Sequence, residues 1–411
     1  MPSQITNYQC PKCTGPLQFS SRTGKLECEY CGSSFDVAEI EAYYASHDEQ
    51  AAQSFVSEQN KPPADDGIPP EYVGDVSPEQ AAATLSDAEK EEYTHSQWDG
   101  STIAADWGEL GANVRTYNCP SCGAELICDV TTAASSCPYC GNPTIVPGQF
   151  HGALKPDFVI PFKLDKAAAV SALKAHYRGK LFLPKAFTDA NQINKIQGIY
   201  VPFWLFNADA NAECYFEGRT SSTHREGDYR VTVTKHYDVR RFGSVRFQRV
   251  PTDASKKMPD DLMDSIEPFD YSELKPFSTA YLPGYLADIS DVSVEDSSTR
   301  ADKRCTNSTM DVMRADVTGY SEVVTRSSNV YINRGKVEYA LLPVWILKTK
   351  WMNKDYLFAM NGQTGKLVGD LPVSKGRFWA WCGGLTAGLA VVFYFLKIGA
   401  FLGSILSAFF S

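Results

Sequence analysis

The sequence predicts a multidomain chain made of two small β zinc ribbons, an α/β (α+β) body with signs of two related halves, and a C-terminal transmembrane helix. Three observations lead there. Eight of the 12 cysteines fall into four CxxC pairs. From about residue 151 to 372, helical and alternating strand patterns follow one another in an ordinary globular composition. Phe378 to Leu396 then contains 19 residues without a charge, enough for one bilayer crossing. With 411 residues, 43% of them hydrophobic, the chain can bury a sizeable core and divides naturally into several units.

Residues 1–40 form the first ribbon and residues 106–150 the second. Tyr8-Gln9-Cys10-Pro11-Lys12-Cys13 and Cys28-Glu29-Tyr30-Cys31-Gly32 recur, 109 positions later, as Tyr117-Asn118-Cys119-Pro120-Ser121-Cys122 and Cys137-Pro138-Tyr139-Cys140-Gly141. Each unit has 14 residues between its cysteine pairs, and Leu17 matches Leu126. Four thiolates on two tight knuckles suit one tetrahedral ion, so the metal ligands are Cys10, Cys13, Cys28 and Cys31, then Cys119, Cys122, Cys137 and Cys140. Redox pairs or disulfides would leave the matched spacing and its duplication unexplained. With four sulfurs per ion no position stays open for substrate, and the two Zn2+ ions are expected to be structural.

Between the ribbons, residues 41–105 read as an acidic flexible linker from which the ribbons hang. From Asp48 to Glu109 there are 15 acids and two bases, while the whole chain carries a net charge of -10. Ser77-Pro78 starts a marginal helix running to about Tyr93.

In the body, residues 151–372, Leu164 to Tyr177 reads as a helix capped by Asp165, and Val292 to about Val317 as a second with a Ser293-x-x-Asp296 capping box. Strand alternation is clear in Tyr229, Val231, Val233, Tyr237 and Val239, and in Val337–Trp351 and Tyr356–Met360, with a turn at Asn361–Gly365. Tyr200-Val201-Pro202-Phe203-Trp204-Leu205 is echoed by Leu341-Leu342-Pro343-Val344-Trp345-Ile346, which points to two related halves. In residues 373–411, the membrane anchor, Phe378, Trp379 and Trp381 follow Lys375 and Arg377 as an interfacial belt would. The uncharged tail Ile398–Ser411 is short for a second crossing. One span followed by an apolar tail is expected, with a membrane hairpin as the alternative.

Other chemistry lacks a motif. The six histidines are scattered and no HExxH or GxSxG occurs, while Gly362-Gln363-Thr364-Gly365-Lys366-Leu367 lacks the spacing and hydroxyl of a phosphate loop. Asp260, Asp261 and Asp264 read as a helix start. Cys128, Cys214, Cys305 and Cys382 read as single thiols. A non-enzymatic protein with no small-molecule substrate is expected. From Arg219 to Arg249 bases outnumber acids. This is either the solvated face of a hairpin or a basic patch facing the acidic linker or anionic headgroups.

The ribbons, the stretch Gly198–Phe206, the segments Tyr339–Trp351 and Tyr356–Lys366 and the apolar C-terminus together resemble a bacterial family of membrane-anchored proteins containing TFIIB-type zinc ribbons. Members are often labelled as the primosomal protein N′ (replication factor Y) helicase, and some are linked to recruiting phage-shock-type partners to the membrane. The resemblance implies the eight cysteine ligands and the anchor. Without a phosphate loop the helicase label finds no support here. The ribbons are also poor phosphate clamps: residues 8–37 carry three bases and three acids, and residues 117–146 no base and two acids. The expectation is a zinc-ribbon adaptor that recruits protein partners to the cytosolic face of the cell membrane, with the bulk of the chain facing the cytoplasm and envelope stress as a setting. A nucleic-acid-associated replication or transcription factor is the alternative.

Overall fold

The computed structural model describes residues 8–47, 72–73, 97–101, 103, 107, 114–129, 137–140, 146–148, 154–189, 193–282 and 284–409. The helix expected at Ser77–Tyr93 lies outside them, as does most of the acidic linker.

The first ribbon is an antiparallel meander of β1 (Leu17–Ser20), β2 (Lys25–Cys28) and β3 (Ser34–Phe35), followed by α1 (Val37–His47). Strand alternation turns Leu17, Phe19, Leu26, Cys28 and Phe35 inward, and α1 adds Ile40 to the same small core. That core continues into the body, because the Phe19 ring meets Tyr281 edge to face at 5.3 Å. Strand β4 (Tyr72–Val73) lies on a body strand. The second ribbon, β5 (Val114–Asn118), β6 (Glu125–Asp129) and β7 (Val146–Gly148), is joined more firmly. Its β6 pairs with a body strand at Ala287↔Ile127 and Asp288↔Leu126, which makes the ribbon part of a 12-stranded sheet. Both ribbons are seated on the body rather than hung from an arm.

The body contains two units of the same design. One is β8 (Phe158–Val159), α2 (Lys166–Tyr177), β9 (Gln197–Glu226) and β10 (Tyr229–Asp253), with the short helix α3 (Lys185–Thr188) inserted before β9. After α4 (Asp260–Ile266) and β11 (Lys275–Pro276), the other is β12 (Leu286–Asp288), α5 (Val294–Ala315), β13 (Glu322–Trp351) and β14 (Lys354–Asn361). Each is a short strand, a helix, a long strand and a returning strand. β9 and β13 run antiparallel side by side, with Pro202 opposite Leu341 and Pro343 opposite Tyr200, so the register maps onto itself when the two units are exchanged. The short strands cross over: β8 pairs in parallel with β13 (Phe158↔Ala340), and β12 with β9 (Leu286↔Ile199).

The same exchange relates the polar contacts. Trp204 Nε1 donates to the carbonyl of Val292 and Trp345 Nε1 to that of Leu164, each at 3.0 Å. Those carbonyls belong to the residues just before Ser293 and Asp165, which cap α5 and α2 by accepting from the N–H groups of Asp296 and Ala168. The prolines, which donate nothing, still accept: Ala254 N–H donates to Pro202 O and Gly362 N–H to Pro343 O. Each half thus orients the helix start of the other.

Three strands are much longer than this core needs. β9, β10 and β13 extend as a stalk whose covered face carries Ala208, Ala210, Ala212, Cys214 and Phe216 on β9. Helix α5 lies on it through Ser297, Ala301, Cys305, Thr309 and Met313, one residue per turn. Small side chains on both sides permit a close approach, and at Gly243 an added Cβ would sit 2.7 Å from Met313 Cε. Around the contact Arg304 reaches Pro251 O at 2.8 Å and Glu267, Arg300 reaches Asp253, and Arg334 reaches Asp302 with two bonds of 3.1 and 2.9 Å.

Two expectations are corrected. The body is mostly sheet, with few helices laid on it, rather than evenly α/β. The expected C-terminal transmembrane helix is not found either. After β15 (Leu367–Gly369), residues Lys375–Phe409 do form one helix, α6, yet among the described residues no helix is long and apolar enough to cross a membrane. An absence of charge is not the same as hydrocarbon affinity. Gly383, Gly384, Gly388 and Thr386, with the polar-tipped rings of Trp379, Trp381 and Tyr394, dilute the aliphatic side chains between Arg377 and Tyr394. The expected cell-membrane location, with the bulk of the chain facing the cytoplasm, is withdrawn with that helix.

Trp204→Phe or Trp345→Phe should each remove one part-buried hydrogen bond and cost about 1 kcal/mol in urea unfolding. Ala210→Leu should overpack the seam under α5 and cost about 1–3 kcal/mol.

Candidate metal centres

Each ribbon folds its two CxxC pairs into knuckles that face one another. In the first, Thr14 N–H donates to Cys10 O at 2.8 Å and Cys10 N–H to Gly15 O at 2.7 Å. In the second, Gly123 N–H donates to Cys119 O at 2.8 Å and Cys119 N–H to Ala124 O at 2.9 Å. Thr14 and Gly123 occupy the same place and both take left-handed backbone angles, φ 59° and 67°. Glycine adopts that conformation freely, whereas threonine is held in it by the knuckle.

The knuckles bring together all eight residues that the spacing singled out. Within each quartet the sulfurs lie within 4.8 Å of one another. Cys10 Sγ is 3.5 Å from Cys31 Sγ, and Cys13 Sγ 3.4 Å from Cys28 Sγ. The second quartet gives 3.4 Å for Cys119 to Cys140 and 3.7 Å for Cys122 to Cys137. A tetrahedron of sulfurs around an ion at about 2.3 Å has edges of about 3.8 Å, so each quartet is already near the shape that a four-thiolate centre requires. Disulfides are absent from both.

The thiols within a quartet differ in acidity. Hydrogen bonds from the Ser33 side chain and backbone lower Cys31 to about 6. Cys13 is raised to about 12: the Gly15 backbone N–H favours its thiolate, but the Cys31, Cys28 and Cys10 sulfurs and burial outweigh it. Burial also raises Cys137. Four sulfurs this close cannot all ionise without a cation, and a divalent ion replaces the shared protons.

The two centres have different surroundings. Cys10 and Cys28 are buried, as are their counterparts Cys119 and Cys137, but Cys13 and Cys31 are exposed where Cys122 and Cys140 are half-buried. The tyrosine inside the second knuckle shows the contrast best, since Tyr30 is 78% exposed and its counterpart Tyr139 only 7%. Tyr139 Oη donates to Asp288 Oδ2 at 2.6 Å, and Ser255 Oγ donates to the same oxygen. Lys257 Nζ adds a bond of 2.9 Å to Cys122 O. These body residues buttress the second centre, and sequence reasoning missed them because they lie more than a hundred positions away. The four remaining cysteines belong to neither quartet. Cys128, Cys214 and Cys305 are buried in the core, and Cys214 Sγ lies 3.6 Å from Met310 Sδ.

Burial raises the Asp288 carboxyl to about 7, against the two hydroxyl bonds that favour its charged form. Between about pH 4 and 7 the folded chain therefore keeps a proton that the unfolded chain has lost. Stability should fall as pH rises across that window and level off above it. Asp288→Asn should flatten this dependence in urea titrations run at several pH values. A slope unchanged in the variant would show that Asp288 is not its source.

No protein-family model matches the chain, and no solved structure matches it. It is 32% identical over 386 residues to "Uncharacterized protein YdjG" of Bacillus subtilis (strain 168), an alignment covering 93% of this chain and 95% of that one. The similarity runs along nearly the whole of both chains, and this chain belongs to the same family as YdjG.

Proposed function

We propose that the chain is a two-zinc adaptor that holds protein partners together. The observation that carries this reading is the pair of closed sulfur quartets, one built into the sheet of the body and the other packed against the body through Phe19 and Tyr281. Four-sulfur sites with tetrahedral edges suit zinc, which takes thiolates without redox chemistry or a preferred d-electron geometry. A site filled by four protein sulfurs has a structural role, so the ribbons present surfaces rather than a reaction centre. Their near-neutral to acidic composition, in a chain of net charge -10, suits protein surfaces better than phosphate backbones.

Elemental analysis of the purified, reduced protein should find two zinc ions per chain. One ion, none, or another metal in stoichiometric amount would refute that assignment. Affinity purification of the tagged chain from cells should recover a defined set of proteins that resists nuclease. A double Cys10→Ser/Cys13→Ser variant, with the second centre intact, should lose part of that set. Recovery of nucleic acid with steep salt dependence, or identical capture by the variant, would count against the adaptor reading.

A further inference from the structure

The two quartets are duplicates in spacing but not in setting, and the setting decides how firmly each holds an ion. A site closed by four thiolates has no open position, so an incoming ligand gains the metal only by reaching it as a sulfur leaves. At the first centre Cys13 and Cys31, one from each knuckle, are exposed. Among the described residues its knuckle hydrogen bonds stay inside the ribbon, as from Cys28 N–H to Ser33 O and from Gly32 N–H to Cys28 O, both at 2.9 Å.

At the second centre both knuckles are fastened to the body. Lys257 Nζ holds the carbonyl of Cys122, and Tyr139 donates to Asp288. Between these knuckles β6 pairs with β12 of the main sheet. Local opening of this quartet therefore breaks contacts with the body, whereas opening of the first breaks contacts within a small ribbon.

The first ribbon also covers something. Its strand β1 lies on the single 3-10 turn Thr279–Tyr281, where Phe19 meets Tyr281, and a side-chain hydrogen bond joins Ser21 to Tyr285. Under this cover Tyr281 is 9% and Tyr285 8% exposed. Tyr285 stacks on Phe162 in the aromatic cluster between the two halves. The ribbon's own core of Leu17, Leu26, Phe35 and Ile40 is too small to hold three short strands without a metal crosslink, so loss of the ion lifts Phe19 and Ser21 from the two tyrosines. The second ribbon, carried by the sheet, stays in place.

We infer that the first centre is an exchangeable zinc site that locks its ribbon over Tyr281 and Tyr285, while the second holds its ion permanently; this rests on the zinc assignment proposed above. The ligand that takes the ion is a soft donor such as a thiol or imidazole. Each Zn–S bond that breaks is replaced by a bond to that donor, the freed thiolate takes a proton from water, and no electron is transferred. The chain thereby answers zinc scarcity by uncovering an aromatic surface.

The test uses the full chain carrying two zinc ions, mixed with excess 4-(2-pyridylazo)resorcinol, whose zinc complex is coloured. One ion should leave about tenfold or more faster than the other. Iodoacetamide labelling read by mass spectrometry should find Cys10, Cys13, Cys28 and Cys31 freed first. In the form with one ion, amide hydrogen exchange should quicken in residues 17–28 and 279–287 and stay slow in residues 114–129. The double variant Tyr139→Phe/Lys257→Met should release its slow ion about fivefold faster and its fast ion at the wild-type rate. Release of both ions at one rate, earlier labelling of the second quartet, unchanged protection of residues 279–287 or an unchanged slow phase in the variant would overturn this inference and leave the zinc assignment standing. A purified chain without two zinc ions would refute both.

Discussion

The antiparallel pairing of β9 with β13 is the contact on which the rest of the molecule depends. It is self-complementary, so each half supplies what the other lacks. Trp204 holds the start of α5, and Trp345 the start of α2. Each short strand is completed by the long strand of the opposite unit. Neither half could bury its own strands alone, since every short strand has its parallel partner across the axis. The cluster at the centre is aromatic: Phe162 stacks on Tyr285 with centroids 4.0 Å apart and meets Tyr200 and Trp345 edge on.

The metal centres inherit their positions from that pairing. β12 lies beside β9 because of the crossover, and β6 of the second ribbon adds to the free edge of β12. The second quartet is therefore an extension of the main sheet, reinforced by Tyr139, Asp288 and Lys257. Among the described residues the first quartet is attached to the body through side chains, with Phe19 packed on Tyr281. Duplicated ribbons thus have unequal settings: one is built into the scaffold and the other is presented at its surface.

Departures from symmetry are as informative as the symmetry. The stalk grows from one hairpin only, and α5 covers it for part of its length. A polar surface saturated by internal pairs offers little to a partner, because each new contact must break an old one.

Much of the candidate site was legible in the cysteine spacing alone. Two CxxC pairs 14 residues apart close a quartet through local knuckles, and local geometry is what a sequence encodes most directly. The caps at Asp165 and Ser293, the turn after Asn361 and the alternation along β10 were legible for the same reason. The C-terminal helix showed the limit of that approach, since a run without charge also carried the glycines and polar-tipped rings that lower its affinity for hydrocarbon. Only the tertiary structure decided the crossover of the two halves, the insertion of the second ribbon into the sheet, and the burial of Tyr139 while its counterpart Tyr30 stays exposed. Each of these depends on partners more than a hundred residues apart, such as Tyr139 with Asp288 or Trp345 with Leu164. Spacing along the chain carries no mark of such a pairing, because only the closure of the whole sheet brings the two residues together.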